Sequence, residues 1–178
     1  MQCSVYIAVS VDGFIAGKDD DLDWLKRVEV AGEDYGYKAF SDTVDVMVMG
    51  RRTYEACLRF PEWPYAGQRK RVIVLSRSLR EARHADETFA GTPAELVTRL
   101  AAEGVRRVYV DGGAVIRSFL EAGLVDDLTL SVIPVLLGEG APLFGRATSG
   151  HALELLESRA FSSGLVQSRY RVVRGAGL

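Results

Sequence analysis

Short runs of aliphatic and β-branched residues alternate along this chain with segments whose apolar positions recur at helical spacing. The runs are of strand length and too short for ordinary helices. They fall at residues 4–11, 44–49, 71–75 and 107–110. The helical segments fall at residues 34–41, from residue 50 onward, at 92–103 and at 113–120. This alternation predicts right-handed crossovers and a mainly parallel central sheet.

Helix boundaries are clearest in the second half of the chain. Thr92 suits an N-cap, Pro93 suits the first helical position, and Glu95 completes a capping box. This helix is expected to end near Gly104, because glycine readily adopts the left-handed conformation that terminates helices. A second helix should follow the glycine pair after residue 111 and stop at Gly123.

The last third of the chain has a different pattern. Residues 127–134 have the composition of one more strand, and residues 152–161 and 165–174 flank the short polar sequence Ser162-Ser163-Gly164. Two strands joined by such a turn predict a closing β-hairpin. We therefore predict one α/β domain over residues 1–178, with a mixed, mainly parallel central sheet, helices on both faces and a C-terminal antiparallel hairpin.

Composition agrees with one globular domain, because a domain usually takes ~100–200 residues and this chain has 178, of which 48% are hydrophobic. With 22 Lys and Arg against 24 Asp and Glu, the net charge of −2 argues against a nucleic-acid partner. No apolar run approaches the ~20 residues of a membrane span, and because residues 1–6 do not resemble a secretory signal, none is expected. The lack of a long apolar run predicts no membrane partner. Because two cysteines cannot form a disulfide framework, we also expect a reducing compartment, the cytoplasm.

Several chemistries are excluded by what the sequence lacks. The two histidines, His84 and His151, are far apart and have no cysteine or carboxylate at ligand spacing, so no metal site is expected. A nucleophile elbow, a phosphate-binding P-loop and a Gly-x-Gly-x-x-Gly fingerprint are also missing from the sequence. Candidate chemistry must be sought where strands end, because ligands of open α/β sheets bind beyond the carboxyl ends of the strands.

Four segments follow predicted strands, at residues 10–17, 49–53, 74–77 and 110–114. The first contains Asp12-Gly13, whose glycine permits a tight turn and close approach of a ligand. A plain surface loop would show the same pattern.

Two of these segments suit anions. Gly50 ends a strand, and the two arginines and the threonine of residues 51–53 open a helix, where amides, helix dipole and guanidinium groups converge. The Gly112-Gly113 pair lets backbone amides face a pyrophosphate with no side chain in the way. For residues 49–53, the alternative is an ordinary turn with solvated arginines. For Gly112-Gly113, it is a glycine turn required by tight packing.

The remaining segment places Ser76 and Arg77 at a strand end, where they could hold a ribose phosphate. Residues of a basic stretch such as 69–83 more often lie on the solvated surface without binding a ligand. Together, the three predicted phosphate sites indicate that the ligand is a dinucleotide with an extra 2′-phosphate. An arginine rather than an acidic residue at this strand end predicts NADPH rather than NADH.

Six motifs then occur in an order typical of one protein family. They are Ser10-x-Asp12-Gly13-x-Ile15-Ala16, Asp23-Trp24, residues 48–55, residues 72–77, Asp111-Gly112-Gly113 and residues 134–144. The ordered set resembles the dihydrofolate reductase-like superfamily. Within it, the chain is most similar to the reductase domain of bifunctional riboflavin-biosynthesis enzymes and its small stand-alone bacterial relatives. The resemblance implies the three-layer fold of that superfamily.

The resemblance also implies a cofactor site for NADPH. Residues on the nicotinamide side would be Ala8, Gly13 and Ile15. Phosphates would be held by Gly50, Arg51, Arg52, Thr53, Ser76 and Arg77, with the last two at the 2′-phosphate. The pyrophosphate would lie on Gly112, Gly113, Ala114 and Val115.

The implied activity is hydride transfer from NADPH to a C=N or C=O bond of a pyrimidine- or pteridine-like small molecule. It would be most like the 5-amino-6-(5-phosphoribosylamino)uracil reductase of riboflavin biosynthesis. Alternatives are a dihydrofolate or other pteridine reductase, and a non-catalytic relative that kept the cofactor site. A fused deaminase domain is not expected, since no zinc-deaminase signature is found. Relatives of this branch tend to be dimers, so a homodimer is expected.

Substrate and proton-transfer residues are less well defined by the resemblance. Trp24 would border the substrate, and Phe144 belongs to a motif that packs near the active site or across a dimer interface in relatives. On an ungapped count Glu29 lies about where folate reductases carry their acidic residue, and Glu33 and Asp34 are alternatives. Asp12 is the candidate catalytic residue, for substrate contact or proton management. Its alternative is a loop-capping Asx-turn.

Overall fold

A central eight-stranded sheet organises the structure, a computed structural model in which residues 1–68, 70–145 and 150–174 are described. The strands of the described residues are β1 (Gln2–Ser10), β2 (Phe14–Ala16), β3 (Val46–Gly50), β4 (Arg71–Leu75), β5 (Glu87–Phe89), β6 (Arg107–Asp111), β7 (Asp127–Ile133), β8 (Ala141–Pro142), β9 (Leu153–Ala160) and β10 (Val166–Val172). The helices are α1 (Tyr37–Ser41), α2 (Arg51–Cys57), α3 (Pro93–Ala102) and α4 (Gly113–Glu121), with short 3₁₀ helices at Lys18–Asp20 and Asp23–Val28.

The strand order in the sheet is β5-β4-β3-β6-β1-β7-β10-β9. The first six strands in that order run parallel, whereas β10 pairs antiparallel with both β7 and β9. The strands β2 and β8 form a separate two-stranded antiparallel ribbon. Because β3 and β6 are parallel neighbours, the segments that follow them emerge at the same edge of the sheet.

Helices cover both faces of the sheet because alternate residues of the central strands point in opposite directions. On one face, Val5 and Val110 belong to a core that includes Leu96 of α3 and Phe119 of α4. On the other face, Met49 packs in a cluster with residues of α1 and α2, and a third cluster gathers Trp24, Val28, Ile133 and Leu165. The three-layer, mainly parallel α/β architecture with its C-terminal antiparallel hairpin is therefore confirmed.

Local predictions succeeded where the sequence carries strong signals. The capping box of α3 is present, with Thr92 accepting from the Glu95 amide and the Glu95 carboxylate accepting from the Thr92 amide. The helix predicted over residues 34–41 begins only at Tyr37. Asp34 instead accepts hydrogen bonds from the Gly36 and Lys38 amides, and Gly36 has a φ of +84°.

The elements that sequence reasoning missed are all short. The strands β2, β5 and β8 have two or three residues each, and the 3₁₀ helices follow no hydrophobic period. No helix within residues 1–68, 70–145 and 150–174 has both the length and the apolar content to cross a bilayer.

Candidate functional site

A cavity of about 1040 Å³ opens at the carboxyl ends of β3 and β6 and is called the large cleft below. Its walls include Gly50–Thr53 of the β3–α2 junction and Asp111–Val115 of the β6–α4 junction. The register of the sheet places Met49 beside Asp111, so the two junctions must meet. Ten of the predicted cofactor residues line this cleft: Ala8, Ile15, Gly50, Arg51, Arg52, Thr53, Gly112, Gly113, Ala114 and Val115.

The turn at Gly112 requires glycine for two reasons. Its φ of +89° lies in the left-handed region, and a Cβ at this position would lie 2.1 Å from Thr53 Oγ1. The next residue, Gly113, begins the nine-residue helix α4, whose first-turn amides have no intrahelical acceptor. These amides belong to residues that line the cleft, so the donor set fits an anion such as a pyrophosphate.

Guanidinium groups add positive charge to the same wall. Arg51 pairs with Glu55 at 3.3 Å and Arg52 with Asp20 at 2.6 Å, and both arginines are exposed. Arg117, which the sequence interpretation did not single out, lines the cleft while donating to the carbonyls of Pro142 and Leu143 at 2.8 and 3.0 Å. The size and donors of the cleft thus fit a phosphorylated dinucleotide.

Asp111 is an acidic residue of this cleft that sequence reasoning named only as part of a motif. Its carboxylate accepts from the Gly112 amide at 2.9 Å. Removal from water raises the pKa of Asp111 from 3.8 to about 6, and its only hydrogen bond in the described structure lowers that pKa in part. A cleft carboxyl with a perturbed pKa is a candidate proton donor.

Gly13, of the Asp-Gly pair, has a structural role in the loop after β1. The Gly13 amide donates to the Ser10 carbonyl and its carbonyl accepts from the Leu143 amide, both at 2.9 Å. Gly13 itself is not among the lining residues, whereas Ile15, two residues on, is. The turn therefore sets the position of Ile15 rather than touching the cleft.

Asp12 lines neither this cleft nor the second cleft described below. Its carboxylate accepts from Ser10 Oγ at 2.6 Å, from the Gly138 amide at 2.7 Å and from the Leu137 amide at 3.1 Å. The Ser10 hydroxyl and the two amides lower the pKa of Asp12 to about 2. This geometry favours the loop-capping alternative over proton management.

The predicted 2′-phosphate residues lie just beyond the lining of the large cleft. Leu75 lines it, and Ser76 and Arg77 follow directly. Ser76 Oγ accepts from the Leu79 amide at 3.1 Å, while Arg77 is exposed and makes no ion pair within the described parts of the chain. Their assignment remains a prediction.

A second cleft, of about 390 Å³, lies on the sheet face that carries the 3₁₀ helix Asp23–Val28. It is lined by Tyr6, Ala8, Leu25, Val28, Glu29, Val30, Glu33, Asp34, Tyr35, Tyr37, Ser131, Ile133 and Leu165. Ala8 and Leu25 also line the large cleft, so the two clefts meet at these side chains.

The predicted substrate residues are placed differently from one another. Glu29 lines the second cleft, together with Glu33 and Asp34, the two alternatives that counting had left open. Trp24 is only 8% exposed and packs beside that cleft without lining it, and its Nε1 has no partner among the described residues. Phe144 is 44% exposed and lines neither cleft.

Comparison with known proteins supports the same family. The family model of the RibD C-terminal domain matches residues 3–167. The Bacillus subtilis (strain 168) protein YwjB is 37% identical over 169 residues, covering 93% of this chain and 95% of the relative. Riboflavin biosynthesis protein RibD of Corynebacterium ammoniagenes is 33% identical over 148 residues, covering 75% of this chain and 43% of that protein.

A solved structure agrees in fold over almost the entire length. The crystal structure of a putative riboflavin biosynthesis protein from Shewanella sp. PV-4 superposes with a TM-score of 0.89 at 37% identity, covering 98% of this chain and 100% of that one. The predicted resemblance is therefore confirmed, and the chain belongs to the RibD C-terminal domain family of reductase-like proteins.

Proposed function

We propose that this protein is an NADPH-dependent reductase that transfers hydride to a pyrimidine- or pteridine-like substrate. The observation that carries the proposal is the junction of the two clefts at Ala8 and Leu25. A nicotinamide at that end of the large cleft would face a substrate held in the second cleft. Donor and acceptor carbons could then approach each other without crossing open solvent.

The residues of the large cleft would hold the dinucleotide. The α4 amides at Gly113–Val115 and the Thr53 hydroxyl suit the pyrophosphate, and Arg51 and Arg52 suit its negative charge. Ser76 and Arg77 remain the residues proposed for the 2′-phosphate, since they follow the lining residue Leu75. When bound, NADPH supplies the hydride, and the protein supplies binding, orientation and exclusion of water.

Reduction of a C=N or C=O bond also needs a proton. Asp111 is the candidate source, because its residue lines the large cleft and its pKa is raised to about 6 by burial. A carboxyl group with this pKa is partly protonated near neutral pH and can act as a general acid directly or through water.

Consumption of NADPH with 5-amino-6-(5-phosphoribosylamino)uracil and with 7,8-dihydrofolate tests this function. Oxidation of NADPH in either assay supports a reductase, and a preference between the two identifies the branch. Binding of NADPH without turnover of any pyrimidine or pteridine would leave only the non-catalytic alternative. Absence of NADPH binding would overturn the proposal.

A pteridine reductase is the second candidate, and one observation favours it. Glu29 lies on the second cleft at the end of the 3₁₀ helix Asp23–Val28, where an acidic group could bind the amino-substituted ring of a pterin. Faster oxidation of NADPH with dihydrofolate than with the uracil compound would support this candidate.

We further propose a homodimer in the cytoplasm, with a second copy bound at the edge strand β9. Every residue of β9 is exposed, including Leu153, Leu155 and Leu156, and its outer edge has no strand partner among the described residues. Antiparallel pairing of two β9 strands can place Glu154 opposite Arg159 of the other copy, which makes the edge complementary to itself in charge. Sedimentation equilibrium of the wild type and Leu155→Lys would test it.

A further inference from the structure

The side chain of Asp111 points to the sheet face that carries α1 and α2. Its parallel neighbour in the sheet is Met49, and paired residues of adjacent strands point to the same face. Met49 is fully buried in the cluster on that face, which also contains Cys57 and Tyr109. Asp111 therefore lies where an apolar and aromatic cluster meets the large cleft.

Four titratable side chains lie close enough to Asp111 to be affected by its charge. Burial and the Asp111 carboxylate raise the pKa of Tyr37 from α1, of Cys57 from α2, of Tyr65 from the segment between α2 and β4, and of Tyr109 from β6. These four groups are therefore uncharged at neutral pH.

The charged side chains of the large cleft act on Asp111 much less than burial does. Those that line the cleft beside it are Asp20, Arg51, Arg52, Glu62 and Arg117. The pKa of Asp111 is raised by burial and lowered in part by the amide of the next residue. Whatever keeps water from this carboxyl thus decides how long it holds its proton as the pH rises.

Tyr65 is placed to exclude that water. It lines the large cleft, as Cys57 and Asp111 do, and its side chain interacts with that of Cys57. Cys57 is a small, buried residue at the end of α2, whereas Tyr65 is a large, half-buried one in an irregular segment. Removal of the Tyr65 ring would therefore open the cleft wall beside Asp111.

Aromatic contacts hold Tyr65 from behind. Its ring packs edge-on against Trp63 with the centroids 5.4 Å apart, and Trp63 stacks on His84 at 5.3 Å. Trp63 also packs edge-on against Tyr54 at 6.0 Å, and Tyr54 Oη accepts from the Arg83 amide at 2.9 Å. The segment that carries Tyr65 is thus fixed to α2 and to the chain after β4.

We propose that Tyr65 is a positioning residue for the reduction, whose ring shields Asp111 from bulk water. This inference rests on the proposed function, in which Asp111 supplies the proton. A shielded carboxyl keeps its proton to higher pH, because the charged form would lose hydration. The ring of Tyr65, rather than its hydroxyl, would then set the pH range in which Asp111 can donate.

Titration of the Asp111 carboxyl by ¹³C NMR tests the shielding without cofactor or substrate. The wild-type midpoint should lie near 6. Tyr65→Ala should lower it by about one pH unit or more, towards the ordinary 3.8, because water reaches the carboxyl. Tyr65→Phe keeps the ring and should retain the wild-type midpoint. An unchanged midpoint in Tyr65→Ala, or an equal fall in Tyr65→Phe, would overturn the inference.

Leu58→Ala is the matched control for lost packing. Leu58 packs against the same cluster as Tyr65 but is not among the residues that line the large cleft. Its variant should lose stability and keep the wild-type midpoint of Asp111. An equal fall of the midpoint in Leu58→Ala would assign the effect to general loosening and overturn the role of Tyr65. If Tyr65→Ala does not fold, Tyr65→Leu should lower the midpoint by less.

The pH profile of turnover separates this inference from the function on which it rests. With saturating NADPH, kcat of Tyr65→Ala should fall by about tenfold or more at pH 7 and by less at pH 5, because fewer molecules carry the Asp111 proton at the higher pH. If the NMR midpoint moves and the kcat profile does not, the shielding is supported and the acid role of Asp111 is overturned. If the wild type oxidises no NADPH, the proposed function fails, and the NMR titration still decides whether Tyr65 shields Asp111.

Discussion

The two clefts that meet at Ala8 and Leu25 are built in different ways. The wall of the large cleft that suits anions is made by two strand–helix junctions, each a continuous stretch of sequence, brought together by the parallel pairing of β3 and β6. The second cleft collects residues from β1, a 3₁₀ helix, the loop before α1, β7 and the turn before β10. Both arginines and carboxylates, Asp111 among them, line the first, whereas the charged residues that line the second are Glu29, Glu33 and Asp34.

This difference indicates where binding is fixed and where it can vary. Recognition in the large cleft would depend on backbone geometry that glycine favours, such as the left-handed φ of Gly112. Recognition in the second cleft would depend in part on side chains in the loop of residues 29–35, which can change without altering the sheet. The proposed cofactor site is therefore tied to the fold, while the proposed substrate would be selected by the residues around Glu29 and Tyr35.

Asp111 provides the largest expected effect, because it is the proposed source of the proton in the reduction. Asp111→Asn keeps the size of the side chain and removes the acid, so we expect turnover to fall by about 10²-fold or more with little change in NADPH affinity. Steady-state kinetics with the substrate that the protein reduces would measure the fall in turnover. Unchanged turnover would assign Asp111 to the turn alone.

The pH dependence of Asp111 has a defined sign. Because burial raises its pKa from 3.8 to about 6, the folded state holds this proton more tightly than the unfolded chain. Its contribution to stability is full below about pH 4 and is lost as the pH rises through about 6. Relative to Asp111→Asn, the free energy of unfolding of the wild type should fall by up to about 3 kcal/mol between those limits, as measured by urea unfolding. Turnover of the wild type should fall above about pH 6, and a flat profile would contradict the acid role.

Gly112→Ala should affect the large cleft strongly and the second cleft little. A left-handed alanine costs about 1–2 kcal/mol, and the clash with Thr53 Oγ1 adds an overpacking cost of about 1–3 kcal/mol. Displacement of the α4 amides should also weaken NADPH binding by about tenfold or more. Thermal unfolding and cofactor titration would measure the two effects.

Gly123→Ala is the matched control for that variant. Its φ is +64°, but its Cβ would meet no atom within 4 Å among the described residues. It should therefore lose stability through the backbone alone and keep normal NADPH affinity. Equal loss of affinity in both variants would show that Gly112 acts only through stability.

Arg77→Ala should weaken NADPH binding without weakening NADH binding. A charge-assisted contact to the 2′-phosphate is worth about 1–3 kcal/mol, and NADH lacks that phosphate. Arg80→Ala, an exposed arginine of the same stretch, serves as the control. An equal loss for both cofactors would remove Arg77 from the assignment.

Asp12→Asn should give the smallest change. We expect a slight loss of stability at neutral pH, because the carboxylate accepts hydrogen bonds from Ser10 Oγ and from the Leu137 and Gly138 amides. Since its pKa is lowered to about 2, this contribution is present above the unfolded pKa and disappears as the pH falls towards 2. A large fall in turnover with normal stability would restore Asp12 as the catalytic residue.

Much of the fold could be predicted from the sequence because its signals are local. The Thr92 capping box and the apolar runs of the central strands depend on neighbouring residues only, and the structure confirms them. The ribbon of β2 and β8 could not be predicted, because it pairs Phe14 with Pro142 across more than half of the chain.

The residues of the candidate site also differ in whether the local sequence could reveal them. Gly50 and Gly112 were found because they lie at the ends of recognisable strands, whereas Arg117 reaches the cleft from the second turn of its helix and leaves no local signal. The raised pKa of Asp111 also depends on burial, which no motif reveals. Apart from Ala8, which lines both clefts, the second cleft was represented in the sequence predictions by Glu29, Glu33 and Asp34.

The most direct test of the central claim is a crystal structure of this protein with NADP⁺. We predict that the pyrophosphate lies against the Gly113–Val115 amides and Thr53, with the nicotinamide at Ala8 where the two clefts meet. A nicotinamide bound away from Ala8, or a dinucleotide bound outside the large cleft, would contradict the account.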